Sequence, residues 1–170
     1  ILIDQYIPLI TFKLMLNDQF NNKINTNNPD IIEALNNFEI NFLGYKKNID
    51  KIFTLSKKYE NFLLFQLHST LIGIFLDNPR GFKLANEYIH KSKKLMDNHP
   101  VTDREIHYYN FLSNLLNKKF FRALNHLDIL INQNTTDLFF AKIGQIFYFS
   151  IGNSIKMKDL ACQVIKKNEK

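Results

Sequence analysis

Apolar residues recur three and four positions apart along most of this chain, in successive blocks separated by short polar turns, which is the spacing of amphipathic helices and not of strands. The opening stretch, Ile1 to about Asn17, reads as an apolar helix bent near Pro8. A polar stretch from Asn17 to Asp30 follows as the longest loop, since its asparagines favour turns over helix interiors. Pro29 sits where a first helical turn tolerates proline, and Ile31, Ile32, Leu35, Phe38, Ile40 and Phe42 carry a helix that Gly44 ends. A more polar helix through Ile49, Ile52, Phe53 and Leu55 closes at Lys57 and Lys58.

The next block, capped by Asn61 and reading FLLFQLHSTLIGIFL, is apolar on every face, so it predicts a helix buried between neighbours. Asp77 to Arg80 is a turn, and Phe82, Leu84, Ala85, Tyr88, Ile89 and Leu95 mark a helix to about Met96. Thr102 and Glu105 form a capping box that opens a helix to Asn117. Phe120, Ala123, Leu124, Leu127, Leu130 and Ile131 carry another. Thr136 caps a helix from Asp137 to about Ile151, with Asp137 well placed against the helix dipole, and Gly152 terminates it. The last helix starts at Asn153 or Ser154 and runs through Leu160, Ala161, Val164 and Ile165.

These helices fall into couples. Ile49, Ala85, Ala123 and Ala161 occupy corresponding points, 36, 38 and 38 residues apart; a tetratricopeptide unit is about 34 residues. Small residues (Gly73, Ala85, Ala123, Gly144, Ala161) fall where the helices of a couple must approach closely. The expected fold is all-α, a right-handed solenoid of antiparallel helix pairs, with residues 1–28 forming the N-terminal helix and loop and 29–170 forming four tetratricopeptide-like pairs. A non-repeating helical bundle is the alternative.

From about Asn36 to Val164 the chain resembles the tetratricopeptide repeat protein 38 family. The stretches that carry the resemblance are Phe42–Ile52 (FLGYKKNIDKI), Thr102–Leu116, Lys118–Leu124 (KKFFRAL) and Thr135–Ser154 (TTDLFFAKIGQIFYFSIGNS). Gln145 stands where the family favours His, and Asn134-Thr135 replaces a proline-containing turn. The resemblance implies a helical-repeat fold within the N-terminal part of a longer protein. It brings no catalytic residues, substrate or cofactor with it.

Composition adds less. Hydrophobic residues make up 45% and aromatic residues 14%, including sixteen Phe and no Trp, so rings fill much of the core. Five Gly and four Pro are too few for a sandwich or barrel. The net charge of +6 invites a polyanion reading, but Arg occurs only at Arg80, Arg104 and Arg122, and nucleic-acid readers lean on Arg. The single cysteine, Cys162, excludes an internal disulfide and suits a reducing, cytoplasmic setting; its place beside Ala161 predicts a core thiol. Asp4, Pro8 and Lys13 break the opening apolar run, so neither signal peptide nor membrane span is expected.

No catalytic motif stands out. His68, His90, His99, His107 and His126 show no metal-binding spacing, and there is no phosphate-binding glycine loop or nucleophile elbow. His68 reads as a histidine satisfied inside a packed helix. The expectation is therefore a non-enzyme without cofactors. The first helices of the couples should line a concave groove, and Arg104, Tyr108, Lys142, Gln145 and Tyr148 are the expected partner-binding residues, suited to a peptide or carboxylate. The plain reading of the same residues is an Arg104 pair with Asp103 or Glu105 and tyrosines used in packing. Lysine pairs at 46–47, 57–58, 93–94, 118–119 and 166–167 recur at equivalent places and would form basic edges facing an acidic partner, or simply suit helix C-termini. A protein-interaction scaffold is the leading expectation. The alternatives are an accessory segment of a larger enzyme or regulator, and polyanion binding through the lysine edges.

Overall fold

The computed structural model describes residues 15–168. The expected opening helix lies mostly outside them, and its described end, Leu16–Asn17, is extended: it forms β1, paired antiparallel with β2 (Lys23–Ile24) so that Leu16 faces Ile24. The expected loop thus holds a small hairpin. Helix α1 (Pro29–Leu43) follows, then a single 3-10 turn at Ile49–Lys51 and the short α2 (Ile52–Lys58). Six further helices complete the described chain: α3 (Leu63–Phe75), α4 (Pro79–Asn98), α5 (Asp103–Leu116), α6 (Phe120–Gln133), α7 (Leu138–Ser150) and α8 (Ser154–Asn168).

Helix starts follow their caps. The Asn28 side chain accepts from the Asp30 amide with Pro29 in the first turn, and Asn78 accepts from the Gly81 amide with Pro79 behind it, so α4 begins three residues before the expected Phe82. Thr102 and Glu105 make the capping box in both directions. At α7 the cap is Asp137 and not Thr136: its carboxylate accepts from the amides of Phe139 and Phe140 at 3.0 and 3.2 Å.

Helix ends repeat more faithfully than the sequence does. After α1, α5 and α7 the chain turns through a left-handed residue, Tyr45, Lys118 and Gly152 respectively. In each case the amide of the following residue reaches back to a carbonyl five positions earlier: Lys46 to Asn41, Lys119 to Asn114 and Asn153 to Tyr148. This is the Schellman ending, made three times, after α1 and at the turns inside the α5–α6 and α7–α8 couples.

Neighbouring helices pack in sequence. The couples α3–α4, α5–α6 and α7–α8 make the most extensive contacts, and α5 rests on both α3 and α4. The α3–α4 approach is the tightest: a Cβ built on Gly73 would lie 2.9 Å from the Gly81 carbonyl and the Ala85 amide. Ala85 and Ala123 are fully buried at such approaches, as expected, and Gly144 faces Ile131 and Leu160. Ala161 and Cys162 instead lie exposed, because no further helix among the described residues covers that face of α8. Helix α3 is buried continuously over residues 63–73, as its apolar sequence predicts.

The first expected couple departs from the pattern. A cleft of about 590 Å³, lined by Ala34, Asn41, Lys51 and Leu55, separates α1 from α2. Helix α2 docks on α3 through buried hydrogen bonds: Ser56 Oγ donates to the Phe65 carbonyl and Gln66 Nε2 to the Ser56 carbonyl. Helix α1 crosses to α7 instead. Phe38 and Phe42 meet Phe139 of α7 with ring centroids 6.3 and 5.0 Å apart, while the same two rings meet His68 and Phe75 of α3. Helices α1, α3, α5 and α7 therefore share one aromatic centre, and α1 fills the space where the open groove was expected. Among the described residues, no helix is long and apolar enough to cross a membrane.

Candidate interaction site

The structure distributes the five expected partner-binding residues over three places. Arg104 and Tyr108, one turn apart on α5, point into a buried polar cluster beneath α1 and the hairpin. Arg104 donates to Asp137 Oδ2 at 2.6 Å, lies 3.8 Å from Asp18 Oδ2 and covers the Phe140 ring. Its partners are thus an aspartate on the hairpin and one at the α7 cap, and not Asp103 or Glu105. Burial opposes its charge, but Asp137 and the other carboxylates outweigh that and hold its pKa above the usual value. Tyr108, expected at least half-exposed, is fully buried and shares a 3.0 Å hydrogen bond with His68 Nδ1. Its ring is simply the packing surface for Phe140.

The hairpin supplies the rest of the cluster. Asn22 donates to Asp18 and to Asp137, and Asn134 donates back to Asn22 and to the Phe20 carbonyl. From α1, the fully buried Glu39 accepts from Gln19 Nε2 at 3.3 Å. Burial, only partly offset by Arg104, pushes the Glu39 carboxyl up to about 8, so it is protonated at neutral pH. Burial, with Arg104 adding to it, pulls His68 well below its ordinary value and keeps it neutral. Such a gathering of acids, arginine, histidine and tyrosine has the composition of a catalytic site. Here the groups face one another under a lid of α1, so the arrangement fastens elements together.

Lys142 and Gln145 line an open cleft of about 510 Å³ between α7, α8 and the end of α1, with Leu43, Ala161 and Ile165 among its apolar walls. Lys142 Nζ donates to the carbonyls of Phe42 and Leu43, both at 2.8 Å, and sits 3.2 Å from the centre of the exposed Tyr45 ring. Burial lowers its pKa. Gln145 Nε2 donates to the Met157 carbonyl on α8. The fifth residue, Tyr148, is buried and donates to Asp128, which also pairs with Lys156 beside a separate, smaller recess. Burial, and then the Asp128 bond, raise the pKa of the Tyr148 hydroxyl.

The remaining candidates are quieter. His107 and His126 share a 3.0 Å hydrogen bond between their Nδ1 atoms across α5 and α6, and burial followed by His107 lowers the pKa of His126. Among the described residues, no group of three or more His, Cys, Asp or Glu is placed to hold a metal ion. The lysine pairs are exposed at all five places.

One sequence signal marks the buried cluster. Leu35, Glu39 and Phe42 lie four and three positions apart, so Glu39 stands in the apolar stripe of α1 and needs a buried partner. Comparison with known proteins finds no matching family model, no matching curated protein and no matching solved structure.

Proposed function

We propose that this chain is a non-enzymatic interaction scaffold, a tetratricopeptide-like stretch of right-handed solenoid akin to the tetratricopeptide repeat protein 38 family. It takes a helical segment of a protein partner in the cleft between α7, α8 and the end of α1. The observation that carries this is positional. Helices α7 and α8 leave between them, beside the end of α1, an open apolar cleft with exposed Ala161 and Ile165 on its wall, whereas α3 and α4 are covered by α5. A helix laid there buries apolar surface in the manner of the preceding couples. Lys142 and Gln145, two of the residues the sequence singles out, are its polar groups. The lysine at the cleft and the overall net charge of +6 favour a partner helix with acidic residues beside its apolar face.

The test is site-specific photocrosslinking in cells. A photoreactive side chain at position 165 should capture a discrete protein, one at the exposed Lys47 should not, and Ala161→Glu should abolish the product. Identical products from positions 165 and 47, or products indifferent to Ala161→Glu, would overturn the assignment.

A further inference from the structure

Large apolar side chains are exposed unevenly over this protein. Of the twelve among the described residues, seven stand at the turns inside the couples α3–α4, α5–α6 and α7–α8. Leu76 and Phe82 flank the first turn, Phe120 and Phe121 follow the second, and Phe149, Ile151 and Ile155 surround the third. Phe121 is 87% exposed, Ile155 74% and Phe149 72%. The same stretches gather positive charge. Each turn, with the first five residues of the helix after it, spans 76–83, 117–124 or 151–158, and together these carry seven basic side chains and one acidic, Asp77. All eight are exposed, and only Lys156 among them is ion-paired.

The three turns share one end of the molecule. The ring of Phe75, the last residue of α3, lies 6.1 Å from that of Phe147 in the last turn of α7, and Phe147 meets Phe111 of α5 at 5.3 Å. Phe111 is itself within two turns of the end of its helix. We propose that this end of the couples docks on an anionic lipid surface, its apolar side chains entering below the headgroups and its lysines and arginines facing the lipid phosphates. Apolar insertion and attraction to anionic lipid are the two contributions that hold a protein on a bilayer without spanning it, and the three turns supply both. The mixture of side chains favours lipid over other polyanions. Leu76, Ile151 and Ile155 offer no ring for a nucleic-acid base to stack on, whereas they enter hydrocarbon as readily as phenylalanine does. Lysine is depleted at protein–protein interfaces, but its long apolar stem lets it stand beside inserted side chains with its ammonium at the headgroups. No residue of these stretches lines the α7–α8 cleft, so this surface and that site are separate and each can fail alone.

The probe is a vesicle of phosphatidylcholine and phosphatidylserine in equal amounts, against one of phosphatidylcholine alone. The chain has no Trp, so Phe121→Trp in the full chain places a single indole at the edge. Its emission should shift to the blue on the anionic vesicles and not on the neutral ones; no shift on either, or the same shift on both, overturns the proposal. Lys119→Glu/Arg122→Glu, whose acids suit the first turn of α6, should weaken co-sedimentation with the anionic vesicles by about tenfold or more. Ile151→Ser/Ile155→Ser, at exposed positions of another turn, should weaken it to a similar degree. Lys93→Glu/Lys94→Glu lies about 20 Å along α4 from the edge and should change it by less than about threefold. Losses as large from this distant pair overturn the proposal. So does binding that the charge variant abolishes and the serine variant leaves intact, which is the behaviour of a surface for nucleic acid or an acidic protein. Should a double variant lose its helical circular dichroism, the tryptophan shift decides.

Discussion

Glu39 Oε1 of α1 and His68 Nε2 of α3 approach to 3.6 Å in the centre of the molecule, and both residues are uncharged there although both are ionisable. Each is kept neutral by burial, one carboxyl against its ordinary acidity and one imidazole against its ordinary basicity. The pair makes stability depend on pH in two opposite senses.

Glu39 keeps its proton up to about pH 8 when folded but loses it near its ordinary value of 4.5 when unfolded. The folded state thus binds more protons between those values, and stability falls as pH rises through that window, by up to about 1.4 kcal/mol per pH unit. Glu39→Gln keeps an acceptor for Gln19 and removes the ionisation. Denaturant titrations should find the variant level with the parent near pH 4 and more stable at pH 8; equal stability at both would refute the assignment. His68 acts in the other direction. The unfolded chain protonates it below its ordinary 6.5 while the fold resists, so His68→Gln should lessen the loss of stability on acidification.

Lys118 holds a left-handed backbone, with φ of 59°, at the Schellman end of α5. Gly152 fills the equivalent place after α7 without the Cβ cost. Lys118→Gly should stabilise the chain by about 0.5–1 kcal/mol, read as a higher denaturation midpoint with unchanged slope. A loss of stability would mean that the lysine side chain contributes more than its backbone costs.

Gly73→Ala should do the reverse. Its new Cβ meets backbone atoms of α4 at 2.9 Å, and backbone can yield only by separating the two helices. A cost of about 1–3 kcal/mol is expected from overpacking. Thermal unfolding at the parent temperature would contradict the close approach.

Lys142→Met retains most of the side chain's length and removes the donor that serves the Phe42 and Leu43 carbonyls. The expected loss is about 1–2 kcal/mol, and amide exchange should show it first in the last turn of α1. Faster exchange spread evenly over all helices would point to a general packing role.

Local features of the fold are legible in the sequence, and long-range ones are not. The capping box at Thr102 and Glu105, the all-apolar α3 and the small residues Gly73, Ala85 and Ala123 announce themselves, because each depends on residues a few positions apart or on a helix face. Periodicity reports that α1 has an apolar face, yet not which helix that face meets. A first helix of a couple and a helix lying across α3 and α7 have the same stripe. Arg104 illustrates the same limit: its aspartates are 33 residues ahead and 86 behind, so the nearer Asp103 and Glu105 attract the pairing by proximity alone. Ala161 and Cys162 lie on a side of α8 that is exposed, and the spacing of apolar residues along a helix is the same whether or not another element covers that side.

An open stack of helix couples behaves as a spring, since each couple touches only the next and small rotations add along its length. Anchoring α1 on α7 closes a brace across that spring. The helices between α1 and α7 cannot spread without parting Phe38 and Phe42 from Phe139 and freeing two carbonyls from the Lys142 ammonium, so the two ends of this stretch are clasped by aromatic rings and one cation together.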